Sequence, residues 1–394
     1  MPEVLPEILD APWMHREDIA ALVAALGQGN ARHVGGAVRD TLLGLPVKDI
    51  DMATVLRPEA VIARLDAAGI RTVPTGIEHG TVTAVLPGGP VEITTLRHDV
   101  ATDGRRATVA FAQDWREDAA RRDFTINALY ADPAGGAIFD WFGGLEDLAA
   151  RRVRFIGDAR ERIREDHLRI LRYFRFQARF GSLPADAQAE AACAELAATL
   201  KGLSRERVGM ETMNLLGLPD PAPTVRRMAE LGVLAVILPE ADPEALAALV
   251  AAERAQGIAP DALRRLAALL PAQSSLAEQV AARFRLSAAQ KKRLALAAAR
   301  AGDPGDPRAL AYRLGRDAAL DRLLVAGSDI SALDRWDIPQ LPLKGGQIVA
   351  RGVGAGPEVA RILRRVEDRW IAEGFPEAAR IDALLDAVLA EGRA

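Results

Sequence analysis

The periodicity of the sequence changes near residue 145, and this limits the folds open to the chain. Before that point, short runs alternate apolar and polar residues. Thr81-Val82-Thr83-Ala84-Val85-Leu86 alternates, Pro87-Gly88-Gly89-Pro90 supplies a turn, and Val91-Glu92-Ile93-Thr94-Thr95-Leu96 alternates again, which is the pattern of a β-hairpin. A strand is expected to end at His33-Val34 and another to run through 50–54, with helices over about 14–27, 36–43, 58–68 and 116–130. From about 146 onward apolar residues recur every three or four positions, in stretches rich in Ala, Leu and Arg, so the rest is expected to be helical. Gly- and Pro-containing breaks at 181–184, 217–221, 238–239 and 301–307 separate these helices. The fold class expected is α+β: a head with a mixed sheet, then helical segments. At 394 residues the chain exceeds one ordinary core.

Composition excludes several function classes. Cys193 is the one cysteine, so neither a disulfide framework nor a multi-cysteine zinc site is available. The last of five histidines is His167, which removes His-based metal sites from everything beyond it. No signal-like segment and no long apolar run is present, which predicts a soluble, cytoplasmic protein with no membrane partner. The net charge of −4 argues against nucleic acid only on average, because binding needs a local basic patch rather than a basic total.

Three constellations could carry chemistry. The first is Gly35-Gly36-Ala37-Val38-Arg39-Asp40, followed by Lys48-Asp49-Ile50-Asp51. Glycines after a strand let backbone N–H groups approach a phosphate, and Arg39, one turn into the next helix, could reach the same group. Asp49 and Asp51 are two apart, so on a strand both carboxylates face one side. Such a pair repels unless a cation lies between, and two Mg²⁺ ions would serve an attacking and a leaving oxygen. Glu92, on the second hairpin strand, could approach the pair as a third catalytic carboxylate; an ordinary polar-face glutamate is the alternative.

The second constellation is Arg121-Arg122-Asp123-Phe124-Thr125-Ile126-Asn127. On the expected helix Asp123 and Asn127 are i, i+4 neighbours, suited to ribose hydroxyls, while Arg122 suits a triphosphate. The third runs from Glu165-Asp166 through Arg169, Arg172, Arg175 and Arg179. These arginines form one helical stripe, and Asp166 stacked on Arg169 at i, i+3 could read the hydrogen-bonding edge of a base. Over 151–181 there are ten arginines against four acids, a local charge of about +6 inside an acidic protein. The alternative for each is a capped helix or a solvated charged face.

In this order, GGAVRDTLLGLPVKDIDMAT, TGIEHGTV with VEITTLR, DGRR, RRDFTINALY, FGGLEDL and REDHLRILRYFRFQARF resemble the bacterial and eukaryotic-type (class II) tRNA nucleotidyltransferase and poly(A) polymerase family of the polymerase-β superfamily. The resemblance covers about 33–211. It implies a head with a mixed five-stranded sheet (1–145), a helical neck (146–216), a body (217–302) and a tRNA-binding tail (303–394). It implies metal binding at Asp49 and Asp51, and nucleotide contacts from Gly35, Gly36, Arg39, Arg122, Asp123 and Asn127. Base reading would fall to Asp166 and Arg169, with Arg172 and Arg175 supporting pocket and phosphates. The segment LSRER (203–207) with Glu211 resembles a motif that buttresses the nucleotide-binding helices. Residues 140–148 resemble a head–neck hinge, and the loop 99–114, including Asp103-Gly104-Arg105-Arg106, a flexible loop linked to switching from C to A addition.

The implied activity is template-independent addition of CCA to the 3′ end of tRNA, with CTP and ATP as substrates, Mg²⁺ as cofactor and the tRNA 3′ end and acceptor stem as partner. A glycine-rich segment at 352–356 before Pro357 resembles the tail of many CCA-adding enzymes. The lack of histidine after 167 excludes the histidine/aspartate phosphohydrolase domain that some of them carry. The alternatives are a poly(A) polymerase or partial C- or A-adding enzyme of the same family, and, from another class, an inactive RNA-binding or nucleotide-sensing protein.

Overall fold

A computed structural model describes residues 8–103, 106–300 and 305–391. The chain divides into two compact units, Met1–Pro239 and Glu240–Ala394.

In the first unit the order is α1 (Glu17–Leu26), β1 (Ala31–Val34), α2 (Gly36–Leu42), β2 (Ile50–Thr54), α3 (Pro58–Ala67), β3 (Thr72–Gly76), β4 (Thr81–Leu86), β5 (Gly89–Thr95), β6 (Arg97–Asp103), β7 (Arg106–Phe111), α4 (Trp115–Ala120), β8 (Tyr130–Ala131) and β9 (Ile138–Phe139). The sheet runs β3-β4-β5-β2-β1-β8-β9, with β6 and β7 forming a separate two-stranded hairpin. Among the described residues only the β2–β5 pair is parallel. The expected hairpin is the β4–β5 pair.

The five strands that the resemblance implies become seven, because β8 and β9 extend the sheet past β1 through the pairs Val34–Tyr130 and Tyr130–Phe139. The loop expected at 99–114 is instead largely β6 and β7; Gly104 and Arg105 lie outside the described residues.

Strand alternation sorts side chains onto two faces. Met52, Val91 and Ile93 pack beneath Ile19, Leu22 and Leu26 of α1 and Val61 and Leu65 of α3. Ala53 belongs to a second apolar cluster with Val34, Leu96, Ala128 and Tyr130. Asp51 and Glu92 therefore share the face turned away from α1 and α3.

The helix expected over 116–130 stops at Ala120. Phe124 is extended (φ −119°, ψ 148°) and bridges to Phe155 in an antiparallel pair. Its ring lies 4.9 Å from that of Phe155 and 5.0 Å from that of Phe176. Burying this aromatic cluster outweighs continuation of the helix, and a 3₁₀ turn, Thr125–Asn127, leads into β8.

The rest of the unit is helical: α5 (Gly144–Ala149), α6 (Ala159–Glu165), α7 (Arg169–Phe180), α8 (Ala187–Leu196), α9 (Arg205–Leu216), α10 (Ala222–Glu230) and α11 (Val233–Ile237). In the hinge-like segment Asp140 accepts from the backbone N–H groups of Phe142, Gly144 and Leu145. Gly144 is required there, since a Cβ would fall 2.4 Å from the Thr125 carbonyl oxygen.

The second unit contains α12 (Pro243–Ala255), α13 (Ala262–Leu269), α14 (Ser274–Arg283), α15 (Ala288–Ala298), α16 (Pro307–Leu314), α17 (Arg316–Val325), α18 (Gly345–Ala350), α19 (Pro357–Ala372) and α20 (Ala378–Glu391) among its described residues. Pro357 opens α19 as expected. Ile362, Val366 and Trp370 of α19 pack on Ile381, Leu384 and Leu385 of α20. A buried ion network joins four other helices: Arg264 meets Glu253 at 2.7 Å and Asp321 at 2.9 Å, Arg265 meets Glu253 at 2.9 Å, and Arg293 meets Asp321 at 2.6 Å. Among the described residues no helix is long and apolar enough to cross a membrane.

Candidate active site

A cavity of about 580 Å³ in the first unit collects ten of the expected residues: Gly35, Gly36, Arg39, Asp51, Arg122, Asp123, Asn127, Asp166, Arg169 and Arg172. Asp49, Glu92 and Arg175 do not line it. Arg121, Leu168, Phe176, Arg207, Met210 and Glu211 complete its walls.

Asp51 sits on β2 directly beside Glu92 of β5, in register. Asp49 is exposed and immediately precedes β2. Burial, then the charge of Glu92, with a smaller contribution from Asp49, pushes the Asp51 carboxyl up to about 6 against the pull of Arg122. Carboxylates that repel in this way fit a cation. No group of three or more His, Cys, Asp or Glu is arranged to hold a metal among the described residues. A hard divalent ion needs fewer, because it binds through one or two carboxylates and completes its shell with water and substrate phosphate. The donor set of Asp49 and Asp51 fits that requirement.

The glycine turn behaves differently from the expectation. Gly35 has φ +70°, and a Cβ on it would stand 3.2 Å from Arg122 Nη1. Both features favour glycine. The Gly35 N–H already donates to the Leu129 carbonyl at 3.1 Å. Arg39 is buried, donates to Asp40 at 2.8 Å and to Asn127 Oδ1, and stacks 4.1 Å from the Phe180 ring centroid. It braces the turn as well as lining the cavity.

Asp123 and Asn127 lie on no common helix, yet the Asn127 amide still donates to Asp123 at 2.9 Å, across the extended Phe124 and the 3₁₀ turn. Asp123 also receives Arg172 through Nε and Nη2 at 2.8 and 2.6 Å. Burial acts to raise the Asp123 carboxyl, but Arg172 and Asn127 prevail and hold it below the usual carboxylate range.

Asp166 and Arg169 are not stacked on one helix. α6 ends at Glu165, and Asp166 is extended (φ −150°, ψ 105°). Its Oδ1 accepts from Leu168 N at 3.0 Å, a local turn that competes with the helix. Its Oδ2 accepts from Arg207 Nη2 at 2.6 Å. The Arg169 guanidinium donates to Glu165 and to the carbonyls of Arg162 and Arg121.

The stripe on α7 is therefore occupied by protein acceptors. Arg172 takes Asp123, Arg175 takes Glu211 at 2.6 Å, and Arg179 takes Asp40 at 3.2 Å. Beneath Arg121 and Arg122 lies Asp118, almost wholly buried, which the sequence reading did not single out. Its spacing of three and four residues from the two arginines, at the end of a helix, was the available signal.

Residues 31–154 match the Poly A polymerase head domain, and residues 185–244 match the probable RNA and SrmB-binding site of polymerase A. The chain is 35% identical over 368 residues to the mitochondrial CCA tRNA nucleotidyltransferase 1 of Homo sapiens, covering 87% of this chain and 83% of that protein. It is 40% identical over 227 residues to the CCA-adding enzyme of Geobacillus stearothermophilus, covering 57% of this chain and 55% of that one. The solved Bacillus stearothermophilus CCA-adding enzyme in complex with CTP is 27% identical, superposes with a TM-score of 0.71, and spans 98% of this chain and 100% of its own. The chain is thus an enzyme of the nucleotidyltransferase class, and it belongs to the class II tRNA nucleotidyltransferase and poly(A) polymerase family, most like its CCA-adding members.

Proposed function

We propose that this enzyme builds or repairs the 3′-terminal CCA of tRNA from CTP and ATP, without a nucleic-acid template. The observation that carries the reading is the cavity in which Asp51, the adjacent Arg122 and Asp123, and Asp166, from three separate segments, converge. The 3′ hydroxyl oxygen of the tRNA forms the new bond to the α-phosphate. The bond to the bridging oxygen breaks, pyrophosphate leaves, and the hydroxyl proton passes to solvent.

Asp49 and Asp51 would hold Mg²⁺, the divalent ion proposed for this site. Bound there, it would supply positive charge for the attacking hydroxyl and the departing pyrophosphate, as in two-metal nucleotidyl transfer. Arg122, at the Gly35-Gly36 turn, binds and orients the triphosphate. Glu92 keeps the strand pair β2–β5 negative beside the reacting centre. Asp123 and Asn127 serve the ribose. Arg172, fixed on Asp123, and Arg175, fixed on Glu211, hold the pocket walls. Asp166 accepts from the exocyclic amino group that cytosine and adenine share, with Arg169 setting the junction it stands on.

The head, neck, body and tail bounds of 1–145, 146–216, 217–302 and 303–394 belong to the same proposal. The helical tail, 303–394, is the tRNA-binding part. A soluble compartment where tRNA matures, the cytoplasm, is the location proposed, although the human relative is mitochondrial by name.

The deciding experiment incubates purified protein with a tRNA lacking CCA, with CTP, ATP and Mg²⁺, and sequences the product ends. Termination after CCA is expected. A long A tail would make the protein a poly(A) polymerase. RNA binding without incorporation, under any divalent metal, would make it a non-catalytic binding protein.

A further inference from the structure

Arg122 is held from below by two groups that do not themselves line the cavity. Asp118 is 1% exposed. Its Oδ2 accepts from the Tyr130 hydroxyl at 2.5 Å and from Arg122 Nη2 at 3.4 Å. The same hydroxyl accepts from Arg122 Nε at 3.1 Å. Asp118 Oδ1 takes Arg121 through Nε and Nη2, both at 2.8 Å. The carboxylate is thus surrounded by donors, as a buried charge must be.

We propose that Asp118 and Tyr130 are positioning residues for substrate phosphate: together they fix one edge of the Arg122 guanidinium and turn its Nη1 side toward the glycine turn. The proposal rests on the reading of Arg122 as a triphosphate ligand. A guanidinium is planar, so fixing Nε and Nη2 determines where Nη1 points. That nitrogen lies against Gly35, 3.2 Å from where a Cβ would be, and donates weakly to the Asn127 carbonyl at 3.4 Å. It is the nitrogen of the group that faces the glycine turn, and both Arg122 and Gly35 line the cavity. The charge balance agrees. One carboxylate neutralises one of two arginines, leaving about one positive charge at the wall. Burial acts to raise the Asp118 carboxyl, but Arg122, Arg121 and the Tyr130 hydroxyl prevail and hold it ionised.

Tyr130 makes the idea testable without damage to the core. Its ring packs edge-on against Trp115 at 6.0 Å and Trp141 at 5.4 Å, so Tyr130→Phe keeps the packing and removes only the hydroxyl. The full-length variant is assayed for KM of CTP at saturating tRNA, KM of tRNA, and inhibition by inorganic pyrophosphate and by cytidine. Expected is a rise of about fivefold to tenfold in the CTP KM and in the pyrophosphate inhibition constant, the scale of one charge-assisted hydrogen bond. The tRNA KM and the cytidine inhibition constant should stay within about twofold of wild type. Asp118→Asn, which keeps the shape, should show the same pattern, enlarged.

Arg122→Lys separates the two claims. If it weakens CTP and pyrophosphate while Tyr130→Phe leaves both unchanged, the positioning role is overturned and the ligand role of Arg122 stands. If Arg122→Lys itself changes neither, the triphosphate reading falls, and the positioning role with it. A Tyr130→Phe effect spread equally over CTP, cytidine and tRNA would mean general loosening and would also overturn the proposal.

Discussion

Arg207 of α9 donates to Asp166 Oδ2 at 2.6 Å, while Asp166 Oδ1 takes the Leu168 N–H at 3.0 Å. Both oxygens of the carboxylate are therefore oriented, and each keeps one lone pair for a ligand. Replacing Asp166 by Ala should reduce discrimination between amino-bearing bases (C, A) and oxo-bearing ones (U, G) by about tenfold or more. Acceptor tRNA affinity should hold. Competition assays with the four nucleoside triphosphates check this; unchanged selectivity would remove the base-reading role.

Asp49 and Asp51 separate chemistry from binding. Asp49→Ala or Asp51→Asn should lower nucleotide incorporation by at least about a thousandfold, with tRNA binding retained in a gel-shift assay. Asp51 also experiences unfavourable burial and repulsion from Glu92. Asp51→Asn should therefore leave the melting temperature of the metal-free protein unchanged or higher, the usual trade between activity and stability. Near-wild-type turnover by either variant would end the mechanism.

His33 sets an acid limit on stability. It lies on β1 fully buried, its ring 4.7 Å from Trp13, and neither ring nitrogen has a hydrogen-bond partner. Burial pushes it down to about 4 from the ordinary 6.5. Between these values the unfolded chain takes a proton that the native state refuses. Native stability should thus fall as pH drops from about 6.5 to about 4, by roughly 3 kcal/mol, and be insensitive to this group above that window. Urea midpoints across this range should fall less steeply for His33→Phe than for wild type; parallel profiles would refute the assignment.

Asp321 joins Arg264 and Arg293 in the interior of the second unit, at 2.9 and 2.6 Å. Asp321→Ala leaves two guanidinium groups short of their counter-charge and should cost about 3–5 kcal/mol. Chemical denaturation of the full chain, followed by a probe in the second unit, measures it. A loss under about 1 kcal/mol would mean that solvent reaches the network and screens it.

The sequence by itself determined the change of architecture near residue 145, the β4–β5 hairpin, β2, and the placement of Asp51. These follow from local periodicity, and in a strand period two assigns faces before any partner is known. It also picked out ten residues that do line one cavity, because glycine before a helix, carboxylates two apart and arginines beside acids are local signals. Only the tertiary structure decided how they are used. Phe124 leaves its helix because Phe155 and Phe176, distant in sequence, bury its ring. Arg175 and Arg179 read as solvated or phosphate-binding until Glu211 and Asp40 are brought to them. Asp118 reads as an ordinary helix carboxylate until Tyr130, on strand β8, closes over it. For the arginines the deciding partner lies across the fold, where desolvation makes an unpaired charge too costly to leave and so dictates which arginine meets which acid.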